Sequence, residues 1–402
     1  MAKEKRSIAS QEADQAPETQ YEKSYPPLRA VIPAMLAIYL AVFLVALDRT
    51  IIGTAIPTIS SAFNSFGDIA WYEAGFLLPL CLLQLSFGRV YRYYSAKWVL
   101  IILVAIFEIG SIVCAAAPTS HALIVGRAIT GIGGAGIASG AFVLISLLVP
   151  LQSRPKWLGA LGSVFGLSSI IGPILGGYLT SVTWRWCFWI NVPVGGLSLV
   201  LLVFLTPKTE APVKPGESWQ EKILQLDPLG FVLIGPAITC FLFAVQWGGV
   251  RYAWSDGRII ALFVTAGVFG IAFIVSQAWR QDDATVPPRI FFQRSIFFAT
   301  IAILGIGSVL TIYCFYLPIW FQVIQGKSPQ SSGLSLLPLL LSVVVTVIGG
   351  GLATSFIGYY TEFLVIGSAI LVAGSTLVTT WQTDVGAGKW IGYQVRNLPR
   401  FF

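Results

Sequence analysis

The sequence predicts an all-α polytopic membrane protein, and three observations carry this prediction. Of the 402 residues, 56% are hydrophobic and only 11% are charged, whereas soluble domains carry about 25% charged residues. The mean hydropathy is +0.79. Apolar runs of about 18 or more residues recur along most of the chain, and each can cross the roughly 30 Å hydrocarbon core as a helix. Only a bilayer can cover this much apolar surface.

In the N-terminal half of the chain, the sequence predicts a tail followed by six membrane spans. Residues 1–30 are polar and mixed in charge, so we expect a disordered cytosolic tail. Six apolar runs then predict membrane-spanning helices at about 31–56, 70–90, 98–117, 122–148, 156–180 and 186–206. A hydrophilic stretch at 207–227, which carries three lysines, is predicted to be a cytosolic linker.

The second half contains five more predicted spans. They lie at about 228–248, 258–279, 297–320, 331–355 and 361–381. The sequence therefore predicts 11 full spans in all. A twelfth span begins at Lys389 and is interrupted by the basic segment 396–402, an atypical tail.

The distribution of basic residues predicts a cytosolic N-terminus. With that orientation, 16 lysines and arginines fall in the tail and the inside segments, and 5 fall in the outside segments. Cytosolic loops are enriched in basic residues, which supports this orientation. Because these residues occupy short gaps between apolar runs, the net charge of +7 does not indicate a nucleic-acid partner.

Charged residues inside spans are the first candidates for function, because burying a charge in a bilayer is unfavourable without a partner. Asp48 and Arg49 lie in the first predicted span, Glu108 in the third and Arg127 in the fourth. A buried aspartate opposed by a cation from another helix could load and release a proton, which makes Asp48 and Arg127 candidates for proton coupling. A structural ion pair, or an Asp48–Arg49 pair near the headgroups, is the alternative. For Glu108 a polar packing role is favoured over a place in a cavity.

Two glycine clusters indicate close helix contact. Gly131, Gly133, Gly134 and Gly136 have the spacing of a dinucleotide fingerprint, but they lie within an apolar span, where small residues allow helices to approach closely. The second cluster surrounds a proline that should kink the fifth span, and it could form a pivot or a packing contact. Its members are Gly166, Gly172, Pro173, Gly176 and Gly177.

The sequence offers no cofactor site. Gly326-Lys327-Ser328 resembles the end of a phosphate-binding loop, but Phe321 stands where the first glycine of that loop is needed. The five cysteines show neither metal-ligand nor disulfide spacing. We therefore expect no cofactor and no metal, and transport driven by a gradient such as that of protons.

Four motifs in order resemble the major facilitator superfamily, and in particular the fungal drug:proton antiporter group with fourteen spans. They are Leu47-Asp48-Arg49-Thr50 through Pro57, Gly126-Arg127 through Ala135, Gly172-Pro173-Ile174-Leu175-Gly176-Gly177, and Trp184-Arg185-Trp186-Cys187-Phe188-Trp189-Ile190-Asn191-Val192-Pro193. The resemblance implies a major facilitator fold with alternating access. It implies an N-terminal six-helix bundle over 31–206, two extra linking helices over 228–279 and a partial C-terminal bundle over 280–395. It also implies that Asp48 and Arg127 couple protons and that the glycine-proline motif serves export.

Two departures from the family pattern stand out. The loop after the second span carries Gly88 and Lys97 as the family motif does, but Arg92 occupies the acidic position, so the usual cytosolic charge relay cannot form. The family also continues for three more spans. We therefore expect a C-terminally truncated chain with an incomplete second bundle.

The leading functional hypothesis is proton-coupled efflux of hydrophobic drugs, toxins or secondary metabolites. The alternatives are an uptake carrier of the same superfamily, for a siderophore or a metabolite, and a truncated product that does not transport; an enzyme is not expected. Candidate cavity residues are Gln84, Glu108, Tyr313 and Trp320. We expect a monomer whose partners are the substrate, protons and lipid, located in the plasma membrane or alternatively the vacuolar membrane.

Overall fold

A computed structural model describes residues 25–207, 227–249, 251–281, 284–326, 331, 334–358 and 361–378. Most of the predicted N-terminal tail, most of the predicted linker, and the predicted start of a twelfth span with the basic tail lie outside these ranges.

Helices make up most of the described chain, and no β-strand occurs in these ranges. It forms α1 (Leu28–Phe63), α2 (Ile69–Tyr93), α3 (Ala96–Ala116), α4 (Ser120–Leu148), α5 (Arg154–Val182), α6 (Trp186–Trp189), α7 (Asn191–Leu205), α8 (Pro228–Trp247), α9 (Gly257–Arg280), α10 (Pro288–Phe291), α11 (Arg294–Val323), α12 (Leu337–Ile357) and α13 (Thr361–Val378).

These helices confirm the predicted fold class. Within the described ranges, 9 helical segments are long and apolar enough to cross a membrane, with α6 and α7 forming one segment together. The other two predicted spans correspond to α11 and α13. Large apolar side chains such as Trp279, Phe204 and Phe356 are mostly exposed, which is expected where lipid rather than water surrounds the helices. The protein is therefore an integral, multi-pass membrane protein.

Two helix boundaries differ clearly from the sequence prediction. Helix α1 was expected to stop before Pro57 but continues to Phe63, where Asn64 takes a left-handed conformation and ends it. Helix α12 was expected from about residue 331 but begins at Leu337. Pro338 lies in its first turn, where a backbone N–H has no partner within the helix, so proline loses no hydrogen bond there.

The first seven helices pack around a common apolar core. Helix α4 lies between α2 and α3, while α1 packs against α5 and α7. Leu44, Phe107 and Leu144, from α1, α3 and α4, are fully buried in this core. Helix α5 also contacts α12, so it joins the first group of helices to the last part of the chain.

Helices α8 and α9 form a pair that also contacts α2. The pair is fastened at one end by Asp227, which was assigned to the linker and is instead the fully buried N-cap of α8. Its carboxylate accepts hydrogen bonds from the Gly230 N–H (2.9 Å), Gln277 (3.0 Å) and Arg280 (2.8 Å). It also accepts bonds from the backbone and hydroxyl of Thr285, at 3.1 and 2.8 Å. One side chain thus ties together the start of α8, the end of α9 and the segment that follows.

Candidate functional site

The centre of the site is an ion pair between Asp48 of α1 and Arg127 of α4. Both side chains are fully buried, and Arg127 Nη1 donates to Asp48 Oδ2. Arg127 Nε donates to the Tyr72 carbonyl oxygen at 2.9 Å, and its guanidinium lies 4.6 Å from the centre of the Phe76 ring. The structure therefore pairs the two residues that the sequence nominated for proton coupling and gives Asp48 a partner other than Arg49.

A third helix contributes an amide to this pair. Asn191, the first residue of α7, is fully buried and donates through Nδ2 to Asp48 Oδ1 at 3.3 Å and to Ser111 Oγ at 3.2 Å. Asp48 is thus contacted on one oxygen by a cation and on the other by a neutral donor. Loss of its charge would disturb contacts to α4 and α7 together.

The tryptophan-rich segment before α7 explains how Asn191 reaches the site. Arg185 donates from Nη1 to the carbonyl oxygens of Ala115 (2.8 Å) and Ala117 (2.9 Å) at the end of α3. Its guanidinium also lies 4.5 Å from the centre of the Trp184 ring. These contacts cap the last turn of α3 and fix the start of α7 beside α1.

A second carboxylate approaches the ion pair from α2. Glu73 Oε2 lies 3.9 Å from Arg127 Nη2, and the Glu73 side chain is 36% exposed. Arg127 Nη2 itself has no hydrogen-bond partner among the described residues. Arg127 therefore has one hydrogen-bonded carboxylate and a second one just beyond hydrogen-bond distance.

Glu108 lies near the same cluster but is not hydrogen-bonded. Within the described part of the chain, neither of its carboxylate oxygens has a hydrogen-bond partner, and only 7% of the residue is exposed. It contacts Gly195 of α7 so closely that a side chain at that position would overlap it. A buried carboxylate without a donor is unfavourable when ionised, and the polar packing role expected for Glu108 stays a prediction.

The glycine-proline cluster of α5 packs directly against the segment that carries Asp48. A Cβ atom on Gly172 would overlap the Thr50 side chain and would lie 3.1 Å from the Thr50 carbonyl carbon. Thr50 Oγ1 donates to the Ser168 carbonyl oxygen at 3.0 Å, which adds a second link between α1 and α5. A movement of α5 at this point must therefore move the part of α1 that holds Asp48.

The N-terminal half of the same helix contacts α12. A Cβ on Gly166 would overlap Val344, and one on Gly159 would lie 3.0 Å from the Val347 carbonyl oxygen. Helix α5 continues through Pro173, and Gly176 is buried. Gly177 differs from Gly166 and Gly172, because no described atom lies within 4 Å of a Cβ placed there.

The glycines of α4 allow close approach on two sides. Added Cβ atoms on Gly131 and Gly134 would contact Phe76 of α2, and those on Gly133 and Gly136 would contact Leu103 of α3. Side chains at these positions would push α4 away from its neighbours, and with it Arg127.

The remaining predicted residues lie away from the ion pair. Lys97 is buried and donates to the carbonyl oxygens of Val203 and Thr206, both at 2.8 Å, so it caps the end of α7. Arg92 and Gly88 are exposed, and no described atom lies within 4 Å of a Cβ on Gly88.

The predicted cavity residues of the other helices are also distant from the pair. Gln84 is exposed, and its carbonyl oxygen accepts a bond from Ser139 at 2.9 Å. Tyr313 and Trp320 are half-buried against an apolar cluster between α11 and α12 that contains Phe321. Among the described residues, no group of three or more His, Cys, Asp and Glu side chains could hold a metal ion.

Two residues of the site were not predicted from the sequence. Glu73 lies close to the start of the second predicted span, where a charge can be taken for an interfacial residue. Asn191 was noticed only as part of the tryptophan-rich motif. The signal available for Glu73 was its spacing, because it lies three residues before Phe76 and therefore on the same helix face.

The chain belongs to the Major Facilitator Superfamily, whose sequence profile matches residues 38–393. An MFS-type transporter of Diaporthe leptostromiformis, phomT, is 47% identical over 93% of this chain. An MFS-type efflux pump of Arthroderma benhamiae, MFS1, is 45% identical over 89%, and a rubrofusarin-specific efflux pump of Gibberella zeae, aurT, is 44% identical over 93%. The chain spans 63%, 67% and 69% of the lengths of these three relatives.

Solved transporters share the fold. The proton:xylose symporter XylE aligns with a TM-score of 0.59 at 13% identity, covering 92% of this chain and 79% of that one. The human organic anion transporter MFSD10 aligns with a TM-score of 0.56 at 14% identity, covering 94% of this chain and 85% of that one. At this identity the likeness concerns the fold alone.

Proposed function

We propose that the protein exports hydrophobic small organic molecules, such as drugs, toxins or secondary metabolites, in exchange for protons. The observation that carries the proposal is the fully buried Asp48–Arg127 pair, held by α1 and α4 and completed by Asn191 of α7. Relatives that are named efflux pumps support the direction of transport.

In this mechanism Asp48 is the proton carrier. Protonation would remove its charge, weaken its bond to Arg127 and leave a buried guanidinium without its counter-ion, which is strongly unfavourable. The helices would then repack to give Arg127 other partners. Because α5 contacts Thr50 at Gly172 and α12 at Gly166, this repacking would be transmitted between the first helices and the last.

Several further features belong to the same proposal. Gly172 and Pro173 would form the pivot, and the proton gradient would replace any cofactor. The protein would act as a monomer in the plasma membrane, with the vacuolar membrane as the alternative and the N-terminus in the cytosol.

A direction-resolved flux assay tests this function. The protein is reconstituted in liposomes, a fluorescent hydrophobic substrate is added, and its flux is followed with the pH gradient in each direction. We expect substrate to move against the proton flow and to reverse when the gradient is reversed. Flux in the same direction as the protons would instead identify an uptake carrier, and an absence of flux in either direction would refute transport by this chain.

Asp48→Asn is the decisive variant in this assay, because it removes the proton-binding group but keeps a hydrogen-bond acceptor of similar size. We expect it to insert normally and to lose the dependence of flux on the gradient. A variant that still exports against a gradient at the wild-type rate would exclude Asp48 as the carrier.

A further inference from the structure

A cavity of about 270 Å³ lies between α2 and α8, beside the ion pair. Its walls are mostly apolar, Gln246 is a neutral polar residue of the lining, and Glu73 is the one charged side chain among the described residues that line it. Two aromatic residues of its lining, Trp71 and Phe243, contact each other with ring centres 4.7 Å apart. Trp247, which lies outside the lining, packs against Phe243 with ring centres 4.9 Å apart. The cavity thus combines aromatic faces with a single carboxylate.

The carboxylate of Glu73 is only loosely paired inside the protein. Its nearest cation is Arg127 Nη2 at 3.9 Å, and the hydrogen bonds of that guanidinium go to Asp48 and the Tyr72 carbonyl oxygen. A partly exposed carboxylate in apolar surroundings attracts a second cation, and aromatic faces add to that attraction.

We propose that the cavity between α2 and α8 binds organic cations with an aromatic or otherwise apolar body, and that Glu73 pairs with their positive charge. This inference rests on the proposed function, since it names a class of exported molecule. A lipid acyl chain would fit the apolar walls equally well, but it would leave the carboxylate without a counterpart.

The geometry also links this cavity to the proton site. Protonated Asp48 would release Arg127, and Nη2 would need to move only about 1 Å to reach hydrogen-bond distance from Glu73. The new pair would displace the bound cation. Conversely, a cation bound to Glu73 keeps Arg127 paired with Asp48 alone, and this favours loss of the proton from Asp48.

Two further ionisable residues lie near the Asp48–Arg127 pair and influence this competition. Arg49 of α1 is a second cation that acts on Glu73, and Glu108 of α3 lies near Asp48 without a hydrogen-bond donor among the described residues. Proton and organic cation would therefore compete through one shared guanidinium, which is the behaviour that exchange requires.

Equilibrium binding to the purified protein in nanodiscs tests the site without any transport. The probes are radiolabelled trimethyl(4-biphenylyl)ammonium, a permanent cation, and its uncharged isostere 4-tert-butylbiphenyl. We expect Glu73→Gln to weaken binding of the cation on the order of tenfold, since one partner of a partly desolvated charge pair is lost, and to leave the neutral probe unchanged. Glu73→Asp should restore part of the affinity.

Two controls locate the effect. Asp256→Asn also removes one negative charge, from the cap of α9 outside the cavity lining, and should change neither probe. Ala74→Phe, which fills the cavity, should weaken both probes while the protein stays monodisperse. Equal affinity for the two probes with no effect of Glu73→Gln would identify a lipid-filled groove and overturn the proposal, as would cation binding that survives Ala74→Phe.

Asp48→Asn separates this inference from the proposed function. As a mimic of protonated Asp48, it should weaken binding of the cation, and Glu73→Gln added to it should cause little further loss. Failure of proton-driven flux with intact Glu73-dependent cation binding would overturn the function alone. Proton-driven flux together with cation binding that does not depend on Glu73 would overturn this inference alone.

Discussion

Asp227 offers a prediction that can be worked out from the structure. Its two carboxylate oxygens accept five hydrogen bonds, two on Oδ1 from Gly230 and Arg280, and three on Oδ2 from Gln277 and Thr285. In Asp227→Asn an NH₂ group replaces one of these oxygens. Whichever way the amide is turned, at least two donors lose their acceptor.

The expected loss follows from these contacts. A neutral hydrogen bond contributes about 1 kcal/mol and one to a charged group about 1.5–3 kcal/mol, so the variant should lose roughly 3 kcal/mol of local stability. Hydrogen exchange of the α8 and α9 amides should then be about a hundredfold faster, with α3 and α4 unchanged as an internal reference.

The matched control is Asp256→Asn. Asp256 also caps a helix, α9, but the described structure gives its carboxylate one bond, from the Arg258 N–H at 2.8 Å. We expect at most about 1 kcal/mol of local destabilisation there. If exchange in α8 and α9 were equal in wild type and Asp227→Asn, or if the two variants behaved alike, the role given to Asp227 would be wrong.

The same residue predicts a pH dependence. Burial raises the pKa of Asp227, but hydrogen bonds from Gln277, Gly230 and Thr285 outweigh it and lower the pKa from 3.8 to about 2. Because the folded pKa lies below the unfolded one, the stabilisation is complete above about pH 4 and is lost as the pH falls towards 2. This pKa shift corresponds to about 2 kcal/mol of the free energy of unfolding. The thermal stability of wild type should therefore exceed that of Asp227→Asn at pH 6, and the difference should shrink below pH 4.

Two further predictions concern helix contacts. Gly172→Leu should stop substrate exchange while the protein still inserts, because the leucine side chain would occupy the place of Thr50. Gly177→Leu is the control, and equal flux in the two variants would contradict a pivot at Gly172. Lys97→Met should lower the melting temperature by removing two charge-assisted hydrogen bonds worth about 3–6 kcal/mol together, whereas Lys156→Met, at an exposed position, should not. An unchanged melting temperature for both variants would show that the end of α7 does not depend on this cap.

The helices themselves were largely predictable from the sequence, because hydropathy reports directly on lipid exposure. The spans predicted at 228–248 and 258–279 coincide within a residue with α8 and α9. The end of α1 was not predictable, since a proline such as Pro57 can end a helix or be carried within it, and neighbouring packing decides.

The site was predictable only in part. The cost of burying charge singled out Asp48 and Arg127, and the structure brings them together. Their neighbours Asn191 and Glu73 belong to other helices, and which faces of those helices meet is a property of packing rather than of any local pattern. For the same reason Asp227 was placed in a hydrophilic linker, although its partners lie about fifty residues further along the chain.

Proton release evoked by substrate tests the central claim most directly. Purified protein in weakly buffered solution receives the cationic probe, and a pH indicator reports the protons released per molecule bound. We expect wild type to release protons and Asp48→Asn to release none, under conditions where both proteins still bind the probe. Equal proton release from the two proteins would contradict it.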